Sequence, residues 1–237
     1  MRPEDFPASP HRAGFIAPFN LTSSMLHRGF GLKTRILNPV DEYWDRRLGV
    51  STFGYFPPQG QPNDDGFRVH YTPMPYSVCF SMLRKVGVDA DDVLVDLGCG
   101  LGRAVFAASW LGARRAIGVD IVPELIKRAK ENAERSRPVG RDIDFHCLSA
   151  EQFPLADATV LVMFHPFGAG TMRSVIRAAE EELAKRPRAF RVAYYNPVYA
   201  SVLDESKLLR RIDHWPARPR TFLSKGYAVT FWASQDT

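Results

Sequence analysis

The spacing of apolar positions changes character near residue 70. Before it, apolar residues follow little period, and Pro57-Pro58-Gln59-Gly60-Gln61-Pro62-Asn63-Asp64-Asp65-Gly66 is a loop by composition. One helical stretch is expected at Val40 to Leu48. From Pro75 onward, short β-branched runs alternate with stretches of 3.6-residue period. Strands are predicted at Val93–Leu97, Ala116–Asp120, about Ile143–Leu148, Thr159–Phe164 and Phe190–Tyr195. Helices are predicted from Pro75 through Leu83, Arg103–Leu111, Pro123 to about Arg135 and about Thr171–Lys185, with a short one after Pro197. The tail offers Leu208–His214 and Tyr227–Ala233, a hairpin by pattern. Strands alternating with helices imply a three-layer, doubly wound α/β fold, mostly parallel, closed by an antiparallel hairpin.

Residues 1–70 are expected to pack on this domain as an extension or lid. Phe15, Ile16, Phe19, Leu21, Phe30, Tyr43, Trp44, Phe53, Tyr55 and Phe56 are too apolar for a solvated tail. The 237 residues suffice for one such domain with an elaboration, and 45% hydrophobic content can fill its core. No apolar run has the length of a membrane span, and Glu4 and Asp5 replace the apolar stretch of a secretory signal. A cytoplasmic location is expected. Cys79, Cys99 and Cys147 show no metal or disulfide spacing, and each is expected to be buried. The six histidines are dispersed, so no metal is expected. A net charge of +5 permits a nucleic-acid partner, but the basic residues are spread. Lys127, Arg128 and Lys130 alternate with Glu124, Glu131 and Glu134 as a solvated helix face would. Arg210, Arg211, Arg218, Arg220 and Lys225 form the one lopsided zone.

Chemistry concentrates in Val93-Leu94-Val95-Asp96-Leu97-Gly98-Cys99-Gly100-Leu101-Gly102-Arg103. A strand runs into an acid and then three alternating glycines, a floor against which a ligand can lie. The following helix turns its free N–H groups to the same crevice. A dinucleotide fingerprint would carry its third glycine one residue later, and Asp96 would repel a pyrophosphate while attracting an ammonium. Asp96, Gly98, Gly100 and Gly102 match, position by position, the first motif of the class I S-adenosylmethionine-dependent methyltransferases, which this chain resembles over about residues 75–233. The resemblance implies a Rossmann-like methyltransferase domain at 71–237, a transferase using S-adenosyl-L-methionine and releasing S-adenosyl-L-homocysteine. Val69 to Tyr76, with its Pro-x-Pro-Tyr lead-in, and His165-Pro166-Phe167-Gly168 are similar to a short bacterial branch of that family.

Ligands of open α/β sheets lie outside the C-terminal strand ends. Asp120 ends the second strand, where an acid accepts two bonds from ribose hydroxyls; its spacing from Gly100 also suits a nicotinamide enzyme. By resemblance Asp120 is the ribose ligand, and Ile121 packs on adenine. The third strand leads into Ser149-Ala150-Glu151, where the family commonly has Gly-Asp-Ala; Ser149 stands at the acid's place, and Glu151 is the other candidate acceptor. Phe164, Tyr71, Thr72 and Tyr76 complete the cofactor candidates, the last three at the methionine end.

Methyl transfer needs a positioned acceptor lone pair and, at times, a base. The family often has Asn at the position of His165. This histidine is either a general base or a strand-end cap. Phe167 would wall the acceptor or sulfonium. Pro166, Asn196 and Tyr199 are candidates on the substrate side. The expected reaction is metal-independent methylation of an amine or hydroxyl on a small molecule or protein side chain. RNA methylation, a silent S-adenosylmethionine-binding module and a nicotinamide reductase are the alternatives.

Overall fold

The computed structural model describes residues 39–54, 56, 71–136, 142–218 and 226–235. The aromatics expected to anchor residues 1–38, and the Pro57–Gly66 loop, lie outside the described residues. A seven-stranded sheet runs through the molecule in the order β3-β2-β1-β4-β5-β7-β6. Its strands are β1 (Val93–Leu97), β2 (Arg115–Asp120), β3 (Asp142–Cys147), β4 (Val160–Phe164), β5 (Arg191–Tyr195), β6 (Leu209–Trp215) and β7 (Val229–Ser234). The first five are parallel; β7 pairs antiparallel with both β5 and β6.

Both faces of the central strands are covered. All five residues of β1 are therefore buried, and the strand reads as an unbroken apolar run apart from its acid. Along β1 and β4 the alternation assigns Leu94, Val160 and Val162 to one face and Val93, Val95, Leu97, Leu161 and Met163 to the other. The first face packs against α1 (Pro39–Leu48), α2 (Tyr76–Lys85), α3 (Arg103–Leu111) and α4 (Pro123–Arg135). The second packs against α5 (Ala169–Lys185) and α6 (Ala200–Asp204). The helix expected from Thr171 starts two residues earlier, with extended Gly168 as its N-cap.

Cys79 and Cys99 are buried, but Cys147 is exposed. It ends β3, the edge strand of the sheet. The chain order reverses between β1 and β4, so a crevice opens at the C-terminal ends of those strands. Among the described residues no helix is long and apolar enough to cross a membrane.

Candidate active site

The floor of the crevice is the turn between β1 and α3. Gly98, Gly100 and Gly102 have φ of 77°, 55° and 86°, the left-handed region that L side chains rarely adopt. Space is as restrictive as conformation. A Cβ on Gly98 would run into Pro166, and one on Gly100 into the ring of Tyr71. The β4 loop and the segment before α2 thus both close directly on the glycine turn. The turn is tied to β2: Gly98 and Cys99 donate to the carbonyl of Val119, at 2.8 and 3.0 Å. Gly100 N–H donates to Asp120 Oδ2 at 2.9 Å, and Val122 N–H to Asp120 Oδ1 at 3.0 Å. The Ile121 amide also approaches this carboxylate, which keeps part of its lone-pair capacity for a ligand.

Two acids share this end of the sheet. Asp96 is buried at the end of β1. Desolvation, followed by the charge of Asp120, pushes its carboxyl up to about 8. Burial also raises Asp120, opposed by its backbone hydrogen bonds. Beside Asp120 the side chain of Ile121 is 70% exposed, and Leu148, after β3, is 37% exposed. Two bare apolar side chains next to an acid with spare lone pairs fit a flat, apolar base attached to a sugar diol. Ser149 and Ala150 are half-buried and Glu151 is exposed, on a 3₁₀ turn where Gln152 N–H donates to the Ser149 carbonyl at 3.0 Å.

Across the crevice, two neighbouring strand ends carry strained residues. His165 after β4 and Asn196 after β5 have φ of 37° and 54°, the only non-glycine residues with positive φ among those described. His165 Nδ1 lies 3.3 Å from the Tyr194 hydroxyl, and its ring is 5.6 Å from that of Tyr199. Burial lowers the pKa of His165 from its ordinary value, so the neutral ring prevails at neutral pH. Phe164 packs against Tyr195 and Tyr227, at 4.6 and 5.7 Å between ring centres.

The structure brings Tyr71, the glycines, Asp96, Asp120 and Pro166 together. Two expected residues are buried in the core. Tyr76 is fully buried inside the core, with its hydroxyl donated to Asp45 Oδ1 at 2.9 Å. Phe167 is buried in the core layer that also holds Met163 and Met172. Thr72 is exposed. Sequence reasoning passed over Arg103, which is buried directly behind the glycine turn; an arginine in the first turn of an otherwise apolar helix was the available signal. Among the described residues no group of three His, Cys, Asp or Glu could hold a metal ion.

Residues 94–186 match the family model described as a methyltransferase domain. A protein-lysine N-methyltransferase from Saccharolobus islandicus is 36% identical over 97 residues, 40% of this chain and 60% of that protein. A ribosomal protein L11 methyltransferase from Hamiltonella defensa is 38% identical over 144 residues, 53% of this chain and 47% of that protein. The chain thus spans less than two thirds of these relatives. The magnesium protoporphyrin IX methyltransferase of Synechocystis, solved with bound S-adenosylmethionine, is similar in fold, with a TM-score of 0.51 at 14% identity over 67% of this chain and 77% of that one.

Proposed function

We propose that this chain, whose residues 94–186 match the methyltransferase-domain family, is a class I S-adenosylmethionine-dependent enzyme that transfers the methyl group of S-adenosylmethionine to an amine of a protein side chain. The observation that carries the reading is the joint at the ends of β1 and β2. Asp120 receives the Gly100 amide and keeps lone pairs for a ribose diol, with Ile121 and Leu148 bare beside it for the base. Buried Asp96, at the end of β1, suits the ammonium of the amino-acid portion. When bound, the cofactor supplies a methyl carbon already made electrophilic by its sulfonium.

The chain's own residues then orient and deprotonate the acceptor. An attacking nitrogen forms its bond to the methyl carbon as the carbon–sulfur bond breaks, and the electron pair of that bond stays on sulfur. The nitrogen must present a lone pair, so an ammonium must first lose a proton. His165, neutral through burial and seated between Tyr194 and Tyr199, is the base that would take it. Asn196, at the next strand end, would hold the acceptor from the side.

A protein acceptor is favoured by the relatives, which are named for methylating lysine and ribosomal protein L11. RNA as acceptor rests on the +5 net charge. Of the basic C-terminal zone, Arg210 and Arg218 are exposed, Arg211 pairs with Asp204, and Arg220 and Lys225 lie outside the described residues. Incubation of the full chain with methyl-labelled S-adenosylmethionine and a cell extract decides among the readings. Protease-sensitive label is expected. Label that only ribonuclease releases would move the acceptor to RNA, and no label despite bound S-adenosylhomocysteine would make this a silent binding module.

A further inference from the structure

A buried polar network lies behind the glycine turn and joins it to residues 39–54. Arg103 is the first residue of α3, and its guanidinium is 3% exposed. Its Nη1 donates to Asp41 Oδ2 on α1 at 2.6 Å and to the Met74 carbonyl at 2.9 Å. Its Nε donates to Thr52 Oγ1 at 2.9 Å. The rings of Phe53 and Tyr76 cover the guanidinium at 4.8 and 4.6 Å.

Thr52 is held a second time. Its amide and hydroxyl donate to the two oxygens of Asp45, at 2.8 and 2.6 Å. The carbonyl of Thr52 accepts the Tyr71 hydroxyl at 2.8 Å. Tyr71 is the side chain whose ring lies against Gly100. A continuous path therefore runs from Arg103 and Asp45 through Thr52 to Tyr71 and back to the turn.

A cation at a helix N-terminus opposes the helix dipole, and burying it is costly; here Nε and Nη1 are satisfied, while Nη2 is buried without a hydrogen-bond partner. A helix needs none of this to begin. The network's geometric product is the fixed position of one tyrosine over one glycine of the ligand floor.

We propose that Arg103 is a positioning residue for cofactor binding: through Asp41 and Thr52 it latches residues 39–54 onto the domain and holds Tyr71 against Gly100. Residues 39–54 then support a wall of the cofactor site, with Tyr71 as the side chain they hold. This rests on the reading of the crevice as an S-adenosylmethionine site. It adds that occupancy of the site and docking of residues 39–54 are linked, each favouring the other.

The test measures S-adenosylhomocysteine affinity by calorimetry at a temperature where every variant is folded, together with amide exchange over residues 39–54. The full chain is compared with Arg103→Met, with Tyr71→Phe, which deletes only the latching hydroxyl, and with Val175→Ala in α5 as a control that loses stability on the opposite face. A roughly tenfold weaker affinity is expected for Arg103→Met and a smaller loss for Tyr71→Phe, with no change in the control. Ligand should slow exchange over 39–54 in the unaltered chain and fail to do so in Arg103→Met. Unchanged affinity in Tyr71→Phe, together with unchanged affinity in any folded Arg103→Met, overturns the proposal; so does equal weakening in the control, which would mark a general effect of stability. Should Arg103→Met not fold, Tyr71→Phe alone decides. Failure of the unaltered chain to bind would instead overturn the cofactor reading itself, and it shows in a different arm.

Discussion

Asp96 is the residue whose chemistry is most displaced by its surroundings. Its carboxyl is held near 8, against 3.8 for an ordinary aspartate. The folded state therefore keeps a proton that the unfolded chain releases above about pH 4. Stability from this group is present at low pH and is lost as pH rises from about 4 to about 8, with a slope of about 1.4 kcal/mol per pH unit. Without ligand, melting temperature should fall across that range more steeply than in Asp96→Asn, as thermal scans at stepped pH would show. A cationic ligand group beside Asp96 would favour its ionised form, so binding should release protons below pH 8. His165 is shifted the other way, by burial alone. If it takes the acceptor's proton, kcat/KM should rise through a pKa below 6.5, and His165→Asn should lose that limb and at least about a hundredfold in rate with cofactor affinity unchanged. An unaltered acid limb in the variant would leave His165 a strand-end cap. Tyr76 and Phe167 show what reading single residues leaves out, namely their burial. Each stands next to a proline or glycine that signals a loop, yet each side chain turns into a core layer that a one-dimensional pattern does not display.

The strands and helices were legible to within about two residues, because strands buried on both faces read as short, nearly unbroken apolar runs set between helices of 3.6-residue period. Arg103–Leu111 and Pro123–Arg135 match their predicted bounds, each marked by a glycine or proline at its start. The glycine turn was legible because its conformation is written in its residues. The seating of the N-terminal segment was not, because its contacts are distant in sequence. Arg103 and Asp41 are 62 positions apart. Asn132, on α4, holds Ser51 from 81 positions away, its Oδ1 accepting the Ser51 amide and its Nδ2 donating to the Ser51 carbonyl, both at 3.0 Å. This pair imitates a strand ladder with one side chain. Asn132→Ala should cost about 1–3 kcal/mol in urea unfolding. It should also quicken exchange at residues 51–54 before the sheet is affected; uniform acceleration would mean that the segment has no separate docking equilibrium.

At the scale of the molecule, one edge of the sheet gathers the ends of β1, β2, β4 and β5, with a different task at each. In the proposed reading the donor side lies at β1 and β2 and the acceptor side at β4 and β5, with Pro166 packed on Gly98 where they meet. The net charge of +5 bears on the acceptor. An RNA held by six or more phosphates would bind roughly a thousandfold less tightly as salt rises from about 50 to about 200 mM. For a protein amine, the KM of the acceptor should change only a few-fold over that range. The donor side is tested most directly by calorimetric titration of the folded chain with S-adenosylhomocysteine, with NADH as the contrasting ligand. One site of micromolar or tighter affinity is predicted, weakened at least about tenfold in Asp120→Ala, with no heat from NADH. Heat from NADH alone, or S-adenosylhomocysteine binding indifferent to Asp120, would contradict the account.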